Sequence, residues 1–200
     1  MSRYTKSIFK KSRRLGFSIL EDNKEFLKGK KRTYAPGQHG ADKHKVSGYG
    51  QQLQEKQKLA LMYGMNDRQF RRLFQIAKKM KGSTSMNLLI VLESRLDNLV
   101  YRMGFAKTRR AARQMVSHGH ILLNGKKCSI PSAIVPLNST IEVKEASKKM
   151  AALGENETRG TLPFVKTDFA KLSGQYVRYP ERKELNQEIN ETYVVEWFNR

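Results

Sequence analysis

The stretch from Ser85 to Cys128 leaves a folding chain the fewest choices, because its hydrophobic period changes from helical to strand-like within it. In "MNLLIVLESRLDNLVYRMG", apolar side chains recur at Leu88, Leu89, Leu92, Leu96, Leu99, Val100 and Met103. That spacing predicts one continuous helix, capped by Ser85 and stopped by Gly104. Arg95 and Arg102, seven apart, would share one of its faces. "FAKT" then makes a turn, and Thr108 caps a shorter helix, "RRAARQMVSHG", with Ala111, Ala112, Met115 and Val116 inside and Arg109, Arg110, Arg113 and Ser117 outside. Gly119 suits a left-handed helix stop, Ile121 to Leu123 begin a strand, and Asn124-Gly125 is a strong hairpin signal. This order predicts an α+β chain: a helix-turn-helix-like hairpin joined to a small, mainly antiparallel sheet.

Outside that stretch, "DRQFRRLFQIAKKM" places Phe70, Leu73, Phe74, Ala77 and Met80 on one helical face. Arg68, Arg71, Arg72, Lys78, Lys79 and Lys81 take much of the rest, and Asn66 or Asp67 can cap the start. "STIEVKE", "FVKTD" and "GQYVRYP" supply further short strands, with a helix expected near Ala146 to Leu153. The final segment, Glu188 to Phe198, is apolar at Ile189, Val194, Val195, Trp197 and Phe198; it is expected as a helix, although its β-branched residues also suit a strand.

Charge narrows the partner. Lysines and arginines number 39 against 18 acids, a net charge of +21. Such self-repulsion becomes attraction and counterion release against a polyphosphate, so nucleic acid is the leading partner class. Residues 1 to 45 lack periodicity and are expected as an extended basic segment ordered mainly by its partner. In "KRTYAPGQHGADKHK", Pro36-Gly37 and Gly40 can bring backbone amides close to phosphates, with Lys31, Arg32, His39 and Lys43 around them. By contrast, residues 151 to 200 carry 7 bases and 8 acids, which suits a protein-facing surface better than a polyanion. No amphipathic anchor, lipidation signal, signal peptide or transmembrane run is visible, and one cysteine rules out an internal disulfide framework. A cytoplasmic protein without membrane contact is expected.

Two chemistries invite a test. His118, His120 and Cys128 offer imidazole and thiolate ligands, but a glycine break between the histidines keeps their rings from converging, so no metal is expected. "SRLD" resembles the catalytic Arg-Leu-Asp motif of pseudouridine synthases; here it lies inside an amphipathic helix, where Asp97 can pair with Arg95 or Arg102. No phosphate loop, dinucleotide glycine pattern or serine elbow is present, and neither catalysis nor a cofactor is expected.

The segments "APGQHG", "YGQQLQEKQKLALMYGM", "RQFRRLF", "LESRLDNLVYRMGFAKTRRAARQMVSHGHILLNGKK", "IPS" and "RYPERKELNQEINETYVVEWF" together resemble the family of the bacterial fourth small-subunit ribosomal protein, nearly end to end. The middle stretch alone would indicate only a small RNA-binding module that also occurs in pseudouridine synthases, tyrosyl-tRNA synthetases and a heat-shock RNA-binding protein. The resemblance implies a basic extended segment over 1–45 and a helical domain over 46–91 completed by a C-terminal helix at 187–200. It places an inserted α/β domain at 92–186, with the RNA-binding module at about 92–155. It further implies a primary binder of 16S ribosomal RNA at a junction of the 5′ domain. Such a protein nucleates the subunit body, contacts the fifth small-subunit protein, affects decoding accuracy and lies near messenger RNA where it enters the subunit. The N-terminal zinc cluster of some relatives has no counterpart, since no cysteine lies there. With the basic faces read above, the RNA-binding candidates are Arg3, Arg13, Arg14, Lys31, Arg32, His39, Arg71, Arg72, Arg95, Arg102, Lys107, Thr108, Arg109, Arg110, Arg113, His118, His120, Asn124, Lys126 and Lys127. Tyr193, Glu196 and Trp197 are the protein-interface candidates.

Overall fold

The computed structural model describes residues 4–27, 32–42, 45–148 and 162–200. The chain divides into two compact units, Met1–Ser85 with Asn186–Arg200, and Met86–Leu185. Arg3, Lys31 and Lys43 lie outside the described residues.

The first unit is helical. α1 (Phe9–Leu15) stops at Gly16, whose φ of +59° suits a residue without a Cβ. α2 (Gly48–Met62) is capped by Ser47, whose hydroxyl accepts from Gly50 N at 3.2 Å. α3 (Asp67–Lys79) is capped by Asn66, which accepts from Gln69 N at 3.0 Å, so the first of the two predicted caps is used. Phe70, Leu73, Phe74 and Ala77 are buried as their spacing requires. The C-terminal segment is the helix α7 (Glu191–Phe198), started by Asn190 rather than at Glu188. Packing decides against the strand: Phe198 lies 5.5 Å from the Phe70 ring and 4.6 Å from the Phe74 ring. Fully burying one such side chain contributes about 2–3 kcal/mol.

The second unit contains α4 (Thr84–Glu93, whose first residues precede the unit boundary), α5 (Leu96–Arg102), α6 (Arg109–Ser117) and five short strands. These are β1 (Ile121–Leu123), β2 (Lys126–Lys127), β3 (Thr140–Val143), β4 (Val165–Asp168) and β5 (Ser173–Tyr176). They form one antiparallel sheet in the order β2-β1-β3-β5-β4. Asn124 and Gly125 both adopt positive φ, +50° and +76°, as the predicted tight hairpin requires. Ile121, Ile141, Val143, Val165 and Tyr176 face the buried side. A Cβ on Gly174 of β5 would stand 2.7 Å from Met103 Sδ, so glycine lets the strand lie against the end of the α5 hairpin.

The expected single helix from Ser85 to Gly104 is instead two. Arg95 is extended (φ −71°, ψ 140°) and bridges to Ile134. The first amides of α5 lack partners inside their own helix, and the 131–135 loop supplies them: Leu96 N donates to Ala133 O at 2.9 Å and Asp97 N to Pro131 O at 3.0 Å. Val135 N donates back to Ser94 O at 2.8 Å. The helix expected near Ala146 to Leu153 is represented by one 3-10 turn at Glu145–Ser147, and 149–161 lie outside the described residues.

Candidate nucleic-acid interface

The break at Arg95 decides which arginines of the α5–α6 hairpin reach solvent. Because Arg95 leaves the helix, it does not share a face with Arg102. It is 1% exposed, and its Nε and Nη2 donate to the two Asp97 carboxylate oxygens at 3.0 and 2.7 Å. Arg113, expected on the outer side of α6, is also buried and donates to Asp97 Oδ2 at 3.4 Å. Arg95 and Arg113 are therefore corrected from RNA-facing to internal. A buried carboxylate must have such partners, since an unpaired buried charge is strongly destabilising. Asp97 pairs with Arg95, one of the two predicted partners, and with Arg113 in place of Arg102.

A second carboxylate, Glu93, is fully buried and takes Arg102 in a two-pronged bond, Nε to Oε2 at 3.0 Å and Nη2 to Oε1 at 2.7 Å. Arg102 is thus held inward for most of its length. Asn98 Nδ2 donates to Glu93 Oε2 at 2.6 Å, and Arg109 Nε donates to Asn98 Oδ1 at 2.8 Å. The Arg109 guanidinium lies 4.5 Å from the Tyr101 ring centroid. Glu93, Asn98 and Tyr101 were not among the sequence candidates, and no local pattern marks them: they matter through groups up to eleven residues away, the separation of Arg109 from Asn98.

With those arginines turned in, Lys107, Arg110, His118, Asn124, Lys126 and Lys127 are the exposed candidates of this unit. Thr108 is half-buried and spends its hydroxyl on Ala111 N at 3.1 Å, the predicted cap. Asn124 accepts from Thr140 N through its side-chain oxygen at 2.8 Å, tying the hairpin to β3. His120 is half-buried with Nδ1 2.8 Å from Ser147 Oγ, and its ring centroid is 6.0 Å from that of His118. Among the described residues no group of three or more His, Cys, Asp or Glu side chains could hold a metal ion. No described helix is long and apolar enough to cross a membrane. The sheet adds exposed bases not among the candidates, Lys144, Lys166 and Lys171. Behind it, burial pushes the Tyr176 phenol up to about 12, and its hydroxyl lies 3.0 Å from Ser94 Oγ.

In the first unit, Arg14, Arg32, His39, Arg71 and Arg72 are exposed, whereas half-buried Arg13 donates to Arg32 O at 3.4 Å. Of the protein-interface candidates, Glu196 accepts from Gln52 at 2.7 Å and Trp197 packs 4.9 Å from Tyr49, with Lys56 Nζ 5.2 Å from its ring centroid. Those two side chains therefore already hold α7 against α2. Tyr193 is half-buried.

Residues 3–93 match the ribosomal protein S4/S9 N-terminal domain, and residues 94–141 match the S4 domain, so the helix break falls where the two matches meet. The whole chain aligns at 64% identity with 99% of the small ribosomal subunit protein uS4 of Malacoplasma penetrans. The chain belongs to the uS4 family. It is also 61% identical to the uS4 of Mesoplasma florum and 60% identical to that of Ureaplasma urealyticum, each over its full length and 99% of the relative. Within the uS4 frame, the S4 domain match contains α5, α6, β1 and β2 and ends inside β3, the part of the chain with the buried arginines and the exposed hairpin.

Proposed function

We propose that this uS4 protein, a constituent of the small ribosomal subunit, binds a folded junction in the 5′ domain of 16S ribosomal RNA and nucleates assembly of the subunit body around it. One observation carries the reading. From Ser94 to Lys127 the sole acidic residue is Asp97, and it is buried beneath two arginines, so this stretch presents bases and no carboxylate of its own on the surface of α6 and the β1–β2 hairpin. Distributed Lys and Arg side chains then meet phosphates brought together by the RNA fold, while the hairpin and the start of α6 fix register. Neighbouring small-subunit proteins, chiefly the fifth, contact the near-neutral C-terminal quarter in this reading, and messenger RNA passes close by; effects on decoding accuracy follow from that position.

The pseudouridine-synthase alternative required Asp97 to reach a uridine. Asp97 is 4% exposed and its carboxylate is held by Arg95 and Arg113, so it is occupied as a structural counter-ion. The test of the RNA reading is a competition between junction RNA and duplex DNA across a salt series. Junction RNA should win, and with about eight phosphates neutralised the slope of log affinity against log salt should be on the order of −6. A flat titration, or preference for the duplex, overturns it.

A further inference from the structure

We propose that Asn98 is a positioning residue for Arg109, transmitting the orientation of the buried Glu93 carboxylate to a guanidinium that meets the RNA. The proposal rests on the reading of the α6 face as an RNA surface. Asn98 is 2% exposed and Glu93 fully buried, so neither side chain touches a ligand. Asn98 Nδ2 donates to Glu93 Oε2 at 2.6 Å and to the Glu93 backbone carbonyl at 3.1 Å. Both partners are acceptors, so the amide nitrogen must face Glu93 and the amide oxygen must face away from it. That oxygen accepts from Arg109 Nε at 2.8 Å.

The carboxylate cannot turn to release the relay, because Arg102 grips it through Nε and Nη2 at 3.0 and 2.7 Å. At the far end, Asn98 fixes one edge of the Arg109 guanidinium and the Tyr101 ring, 4.5 Å away, fixes one face. A planar guanidinium fixed by edge and face has its donor directions set before RNA arrives. Less rotamer freedom is then lost on binding, the general advantage of a preorganised contact. A lysine at this position would keep the charge and lose the relay, since it has no Nε–H fork for Asn98 to hold.

The experiment uses the full chain and a 16S fragment carrying the 5′ domain junction, with affinities measured across a salt series for wild type, Asn98→Ala, Arg109→Ala and the double variant. Arg109→Ala should weaken binding about tenfold and reduce the salt slope by about one. Asn98→Ala should weaken binding at least threefold in the wild-type background and add nothing once Arg109 is gone, the signature of two residues acting as one. Equal losses in both backgrounds would mean that Asn98 only supports the fold, and would overturn the proposal. Should Asn98→Ala fail to fold, Arg109→Lys decides: at least a threefold loss supports the relay, and full affinity overturns it. Arg109→Ala binding like wild type, with the wild-type slope still steep, removes Arg109 from the interface and defeats this proposal alone. A wild-type chain with no salt-dependent affinity for the junction defeats the RNA reading itself.

Discussion

α3 and α6 look alike as sequences, each an amphipathic helix with a run of bases on the face away from its apolar residues. In the folded chain they differ. On α3, Arg68, Arg71, Arg72, Lys78 and Lys79 are all exposed, and the helix's one acid, Asp67, sits in its first turn with Lys56 Nζ 2.5 Å from Oδ1. On α6, Arg110 is exposed, Arg109 is half-buried against Asn98, and Arg113 is buried on Asp97. What separates the helices is the presence, within reach, of a carboxylate that has itself been taken out of water. Two buried acids, Glu93 and Asp97, convert the arginines around them from surface charge into internal supports. An arginine on these helices is therefore left at the surface or taken into the fold by where the nearest buried acid lies.

The strongest way to break this contrast is to remove the acid. Asp97→Ala leaves Arg95, 1% exposed, and buried Arg113 without their counter-charge. It should cost about 3–5 kcal/mol, the usual penalty for stranding one member of a buried pair. Urea denaturation followed by circular dichroism measures it; a loss within about 0.5 kcal/mol, the range of ordinary surface changes, would show that the arginines escape to water and that the distinction between the helices is false. The converse experiment is on α3. Arg71→Glu with Arg72→Glu should leave stability within about 0.5 kcal/mol, because both side chains are exposed. The same change should lower junction-RNA affinity on the order of a hundredfold and reduce the salt slope by about two, one for each phosphate no longer neutralised. Unchanged binding would assign α3 to solvent.

The sequence already carried much of this fold, but only where local chemistry decides it. The Asn-Gly hairpin, the Thr108 and Asn66 caps, the Gly119 stop and the buried face of α3 each depend on residues within a turn or two of one another. The helix break at Arg95 was invisible because Leu88, Leu89, Leu92, Leu96, Leu99 and Val100 keep one helical period straight across it; all are buried in the folded chain. The interruption comes from carbonyls at Pro131 and Ala133, and nothing in "ESRLDN" announces them. For the same reason Arg95 and Arg113 read as surface bases. Their burial follows from that remote loop and from the crossing of α5 and α6. At the C-terminus the β-branched ambiguity was real, and it was resolved by Phe70 and Phe74, which lie far away in sequence.

Lys127, exposed but laid across Gly119, sharpens the comparison with a smaller effect. Its aliphatic chain crosses Gly119, where an added Cβ would collide with Lys127 Cε, and the Gly119 φ is +75°. Gly119→Ala should cost about 1–2 kcal/mol for the left-handed backbone and push the Lys127 stem aside. Thermal unfolding measures the first consequence. Junction affinity measures the second: a loss beyond what the Lys127→Ala variant shows would mean that the glycine also sets the hairpin's approach to α6, whereas no loss would place Lys127 away from the RNA.

The smallest expected effect concerns an ion pair that is not buried. Arg178 donates to Glu184 through Nη1 at 3.0 Å, with Nη2 bonded to the other oxygen, and Glu184 also accepts from Glu181 N at 2.8 Å in a reciprocal cap on the turn that begins there. The Arg178 hydrogen bond, followed by the backbone amide and the arginine's charge, holds the Glu184 carboxyl below the usual carboxylate range against a smaller opposing effect of burial. A carboxyl depressed in the folded chain favours folding when it is ionised. Its contribution is complete above the ordinary carboxylate value of about 4.3 and fades as pH falls through the lower folded value. Arg178→Gln should flatten that part of the acid limb of a stability-against-pH curve and lower the neutral-pH plateau by the same small amount, since solvent still screens a half-buried pair. Asp97→Ala, in contrast, should lower the plateau far more. If Arg178→Gln lowers the plateau as much as Asp97→Ala does, burial is not what distinguishes the arginines of this chain, and the contrast between α3 and α6 must be rebuilt on the number of hydrogen bonds each guanidinium makes.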